Sequence, residues 1–202
     1  MSAPDIDRRE QVSEMASIAH GRLAAATRTG GTAVATTKTA SAKATRYVLA
    51  GIRLALGWTF LWAFLDKTFG LGHETAEKAA WINGGSPTEG FLAHAATGPF
   101  QGVYNDIAGQ TWADWMFMLG LLGIGLALTV GIGMRIAAAA GALLLVLMWT
   151  AVLPPENNVF MDDHLIYAMT LVALMLLGAG KSLGFGQQWD QLPIVRRYGF
   201  LR

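Results

Sequence analysis

His164 follows Asp162 and Asp163 at the head of an apolar run, and other polar residues stand at the ends of similar runs. Asp66 and Lys67 close the first run, Asn157 and Asn158 follow the third, and Trp149 lies about one turn before Pro154-Pro155. These residue types suit the polar head of a lipid-soluble molecule. A quinone ring asks for hydrogen-bond donors to two carbonyl oxygens, an apolar or aromatic slot and a proton source, and histidine exchanges protons near neutral pH. We read His164, Lys67, Asp66 and Asp163 as candidate catalytic residues, and expect loss of His164 or Lys67 to slow quinone reduction. Trp149, Asn157, Asn158 and Arg53 are the candidate cofactor-binding residues, with quinone as substrate. Each has a plainer reading beside it. Asp162 and Asp163 suit the cap and first turn of a helix, and Asp66 and Lys67 suit an interface with water. Four histidines at unrelated spacings give no ligand pattern, so no metal or haem is expected. With no cysteine, thiolate sites, iron–sulfur clusters and Cys-x-x-Cys redox chemistry are excluded.

The elements that must position these residues are four apolar runs, Tyr47–Leu65, Trp115–Met134, Ile136–Leu153 and Leu165–Gly180. At helical rise each approaches the ~30 Å hydrocarbon core of a bilayer. A mean hydropathy of +0.38 agrees. The cations are sorted by side. Twelve of the 15 Lys and Arg precede the first run, lie at the turn between the second and third, or follow the fourth; Lys67 and Lys78 alone fall in the other loops. That bias places both termini in the cytoplasm of a plasma-membrane protein. The expected fold is all-α, an integral membrane four-helix bundle with short extracytoplasmic helices between its first two spans. Arg53 lies inside the first run, about 8–10 Å deep at helical rise. Such a residue takes a partner, a cavity or a snorkelling route. Membrane lipids and other subunits of a membrane complex are the expected partners, and no nucleic acid is.

Three segments follow: a flexible or weakly helical cytoplasmic stretch over 1–45, a four-helix membrane domain over 46–183, and an interfacial cytoplasmic tail over 184–202. The first shows no apolar h-region or cleavage site, so it is not read as a signal peptide. A weak helix is expected over 5–27 and a tether over 27–45. Ser86-Pro-Thr-Glu89 reads as a capping box opening a helix to about Ala96, and Thr111-Trp-Ala-Asp114 as the cap of the second span. The 86–92 helix is expected to cover the polar cluster. Gly123, Ala127 and Gly131 form a small-residue seam, repeated by Ala137 and Gly141, and Arg135 alone separates the second and third spans.

The runs Arg53-Leu-Ala-Leu-Gly57-Trp58-Thr-Phe60, Asp66-Lys67-Thr-Phe-Gly70, Trp81-Ile-Asn-Gly84-Gly85-Ser-Pro87-Thr88-Glu-Gly90-Phe91-Leu92 and Gly98-Pro99-Phe100 resemble the DoxX/DoxD family. The spacing to Gly131, Arg135, Trp149, Pro155-Glu-Asn157-Asn158 and His164 is similar too. The resemblance covers about 46–183. It implies a four-helix membrane fold and a relation to the DoxD-type subunit of thiosulfate:quinone oxidoreductase, which passes electrons from thiosulfate to membrane quinone. Two functions stay open: a quinone-interacting redox subunit, or a non-catalytic accessory or scaffold subunit of a larger membrane, respiratory complex.

Overall fold

A computed structural model of the chain describes residues 15–16 and 41–201, all-helical in its regular structure. The chain divides into two compact units, Met1–Thr45 and Arg46–Arg202. In the first, Met15 and Ala16 are helical and exposed, and residues 41–45 begin helix α1 (Ser41–Phe69). The tether expected over 27–45 therefore gives way to helix at its end, where Ser-Ala-Lys-Ala-Thr holds neither glycine nor proline. The rest of that expectation, and most of the weak helix over 5–27, lies outside the described residues.

The second unit adds α2 (Gln101–Ile107), α3 (Thr111–Val130), α4 (Met134–Ala151) and α5 (Asp163–Leu176). Helices α1, α3 and α4 are long and apolar enough to cross a bilayer, and they mark the chain as a membrane protein. Helix α5 has 14 residues, a rise of about 21 Å, and falls short of the expected fourth span. It stops where Gly178 turns left-handed at φ 65° and its N–H closes back on Met175 O, one residue short of the α-helical partner. A 3-10 turn, Ala179–Lys181, follows.

The break between α3 and α4 also differs from expectation. Gly131 and Gly133 both adopt positive φ, and the N–H groups of Gly131 and Ile132 close back on Ala127 O. This glycine stop ends α3, and Arg135 becomes the second residue of α4 rather than the linker.

The core between helices joins Leu56 and Phe60 of α1, Met118, Leu121, Ile124 and Leu128 of α3, Ala138 and Leu145 of α4, and Leu171 and Leu174 of α5. Leu119, Leu126, Leu143, Leu147 and Met169 lie exposed on the outer faces, an apolar surface suited to lipid and not to water. Small residues set the tightest approaches, though not all where the seam is expected. A Cβ on Gly123 would meet open space, whereas one on Gly125 would lie 2.7 Å from Leu61 Cγ and 2.9 Å from the Leu61 backbone N. On α1 Gly57 faces Thr129 of α3 in the same way. Gly141 of α4 does take the expected part, against Leu171 of α5.

The 70–110 loop is a chain of short turns. Ser86 Oγ accepts the Glu89 N–H at 3.1 Å, the first half of the expected capping box. The helix it opens passes quickly into a π turn, Phe91–Ala95. At α3 the cap is Gln110, with no side-chain bond. Thr111 is already helical, and Asp114 is turned to other partners. Farther along, the Thr97 N–H donates to Ala151 O, and Tyr104 Oη bonds with Thr150 Oγ1 at 2.5 Å. The loop thus leans on the C-terminal end of α4.

Candidate functional site

Where α4 ends and α5 begins, the 152–166 segment folds on itself through its own polar groups. Trp149 Nε1 donates to Phe160 O at 2.7 Å. Asn158 Oδ1 accepts the N–H groups of Phe160 and Met161, both at 3.4 Å. Asp162 sits in extended conformation as the cap of α5, so its carboxylate reaches forward over the first turn. One oxygen accepts the Leu165 N–H at 3.2 Å, and the other pairs with His164 Nδ1 at 2.6 Å. The result is a cavity of about 530 Å³. Val152, Met161 and Ile166 supply apolar wall, and Asn157, Asn158, Asp163 and His164 supply polar groups.

His164 and Asp162 form a partly buried pair. A carboxylate at Nδ1 fixes the ring and selects the tautomer with its proton there, leaving Nε2 as the acceptor of the neutral ring. No hydrogen bond occupies Nε2 among the described residues. Such a pair can take a proton from, or return one to, a molecule at the cavity. Asp162 was not among the expected site residues, while Asp163 is exposed beside it. The signal available in sequence was the extended cap residue, whose side chain bonds two and three positions ahead. Asp162, Asp163 and His164 hold ligand atoms within 4.8 Å of one another and are the residues able to meet a metal. Both Asp162 oxygens are, however, already engaged.

The structure gathers Asn157, Asn158, Asp163 and His164 at this cavity, with Trp149 bonded to its loop. It does not add Asp66, Lys67 or Arg53 to the lining. Asp66, 2% exposed, accepts the N–H groups of His73, Glu74 and Thr75 at 2.9–3.3 Å and closes the turn after α1. Lys67 pairs with Glu74 at 3.2 Å, and Glu74 is largely exposed. No hydrogen bond or ion pair joins Asp66 or Lys67 to the 157–164 group among the described residues.

Arg53 lies at the opposite end of the helices. Rather than snorkelling it is fully buried. Nη1 donates to Leu128 O at 2.7 Å and Nη2 to Leu183 O at 2.8 Å, with longer bonds to Thr129 O and Ser182 O. The carbonyls that close α3 carry the negative end of its dipole and receive the charge.

The 86–92 turn does not cover the cavity. Asp114 Oδ1 accepts Ser86 Oγ at 2.8 Å, Thr88 Oγ1 at 2.6 Å and the Thr88 N–H at 3.1 Å. Trp81 packs edge-on to Trp115 beside this latch, with centroids 4.7 Å apart. Residues 26 and 28 positions apart meet here, a pairing no local pattern announces. Comparison with family models, with curated proteins and with solved structures finds no match to this chain.

Proposed function

We propose that the chain is a quinone-interacting integral membrane subunit of the DoxX/DoxD type, acting in a thiosulfate:quinone-type redox reaction. It would sit in the plasma membrane with four crossings, both termini cytoplasmic and the 152–166 cavity on the outer side. The observation that carries this reading is the Asp162-held His164 at a cavity with amide donors and apolar walls. Asn157 and Asn158 would donate to the quinone carbonyl oxygens. His164 would deliver protons as the ring is reduced, since reduction to quinol takes up two protons with two electrons.

A second reading has its own support. Asp66, Asp114 and Arg53 are all engaged in bonds that tie loops to helices, as expected of an accessory or scaffold subunit of a respiratory complex.

One experiment separates them. Protein purified in mild detergent is extracted for bound quinone, and quinone reduction is followed for the parent, His164→Ala and Lys67→Met. His164→Ala is expected to slow reduction at least about tenfold, equal to about 1.4 kcal/mol of transition-state stabilisation. Lys67→Met, altered away from the cavity, is expected to change only the dependence on the anionic donor. Normal turnover in His164→Ala, or protein that carries no quinone, leaves the scaffold reading.

A further inference from the structure

At the end of the helices opposite the candidate cavity, the chain returns across α4. Residues 199–201 form a turn that packs on it, and Arg135 Nη1 donates to Gly199 O at 2.6 Å. Beside this crossing lies an open groove of about 540 Å³, lined by Arg135, Ile136, Ala139, Ala140, Leu143 and Phe200. It follows α4 from Arg135 to Leu143, eight helical rises or about 12 Å, from a cation at the helix end toward an apolar floor. Ala139 and Ala140 bring only methyl groups to the lining, beside the larger Leu143 and Phe200.

The charge at this end is one-sided. From residue 165 to 201 the sole acid is Asp190, and it is paired with Lys181 at 3.0 Å. Arg135, Arg196 and Arg197 have no carboxylate partner among the described residues. The cap residue of α4 is Gly133, which offers no side chain to the first-turn N–H groups. Those amides and the positive end of the α4 dipole add to the same field.

A cation at the mouth and an apolar trough running along a span match a molecule with a phosphate at one end and a hydrocarbon chain at the other. We propose that this groove seats an anionic phospholipid, its phosphate at Arg135 and one acyl chain along Ala139, Ala140 and Leu143. The charge at the mouth selects anionic over zwitterionic headgroups, and the trough selects a lipid over a free anion.

The full chain, purified in mild detergent, is titrated with phosphatidylglycerol, with phosphatidylcholine of the same acyl chains, and with inorganic phosphate, and bound molecules are counted by native mass spectrometry. Phosphatidylglycerol is expected to bind at least about fivefold tighter than phosphatidylcholine, the effect of one cation near an anionic headgroup. Arg135→Gln is expected to reduce that preference to less than about twofold. Ala140→Phe, which fills the trough and leaves the Arg135 bond in place, is expected to weaken phosphatidylglycerol about tenfold without lowering the unfolding temperature. Equal binding of the two lipids by the parent, or phosphatidylglycerol binding unchanged in Ala140→Phe, overturns the proposal. So does displacement of the lipid by phosphate at comparable concentration, which would mark a bare anion site. Dimers that Ala140→Phe dissociates would make a second copy the occupant and overturn it equally. Should Arg135→Gln fail to fold, the Ala140→Phe titration alone decides.

Discussion

The approach of α3 to α1 supplies a sharp test, because two glycines on one helix differ in what surrounds them. At Gly125 an added methyl would stand 2.7 Å from Leu61 Cγ, 2.9 Å from Leu61 Cδ2 and 2.9 Å from the Leu61 backbone N. The leucine tip can swing away, but the backbone cannot, so α1 and α3 must separate. Overpacking of this kind costs about 1–3 kcal/mol, against at most about 1 kcal/mol gained from the better helix propensity of alanine. Gly125→Ala should therefore destabilise the fold by up to about 2 kcal/mol, the difference of those two figures. Gly123→Ala, two residues earlier and facing open space, should be neutral or stabilising by up to about 1 kcal/mol. Both variants are measured by denaturant-induced unfolding in mixed micelles. Equal stabilities, or a larger loss at Gly123, would refute the packing of α1 on α3 at this point.

Three further outcomes are expected. Arg53→Leu should insert at least as well as the parent, since a buried cation costs about 2.5–3.5 kcal/mol to insert. It should nonetheless free the 182–184 segment, and backbone hydrogen exchange over 182–184 should be about tenfold faster than in the parent. Asp114→Ala removes three acceptor contacts and strands the buried Thr88 N–H, a loss of about 1–3 kcal/mol; hydrogen exchange over 81–95 should rise while α4 and α5 stay protected. For sidedness, Ser86→Cys should react with impermeant maleimide in intact cells and Arg196→Cys only after permeabilisation. The opposite pattern would invert the proposed topology.

Helix type and position were readable wherever the signal is local. The long apolar runs gave α1, α3 and α4, and Asp162 reads as a cap because an N-cap bonds within its own turn. Legibility failed where a decision depends on a neighbour. A small residue every four positions cannot say which of two faces meets another helix, so the expected seam takes in Gly123 and passes over Gly125. Residues 177–180 are apolar enough to continue α5, yet Gly178 costs little in a left-handed turn and the helix ends. Around the cavity the sequence supplied Asn157, Asn158 and His164 from their crowding near two helix ends. It grouped Asp66 and Lys67 with them because helix ends alone do not tell whether a carboxylate will face a neighbour or fold onto its own loop. The latch between Asp114 and Thr88 is legible only once both segments are in place.

The carbonyls around Arg53 also bear on the order in which the chain is made. Arg53 emerges with α1, whereas Leu128, Ser182 and Leu183 follow 75, 129 and 130 residues later. At about 5–20 residues per second, the last of these partners is synthesised roughly 6–26 s after the arginine. Until Leu128 is made, the nascent helix carries a guanidinium with none of these carbonyls to receive it, and it must wait near the headgroups or within the insertion machinery. Only the final stretch of translation delivers Ser182 and Leu183. The helix made first is thus the one seated last, and a ribosome that stops short of residue 182 would leave it half-anchored.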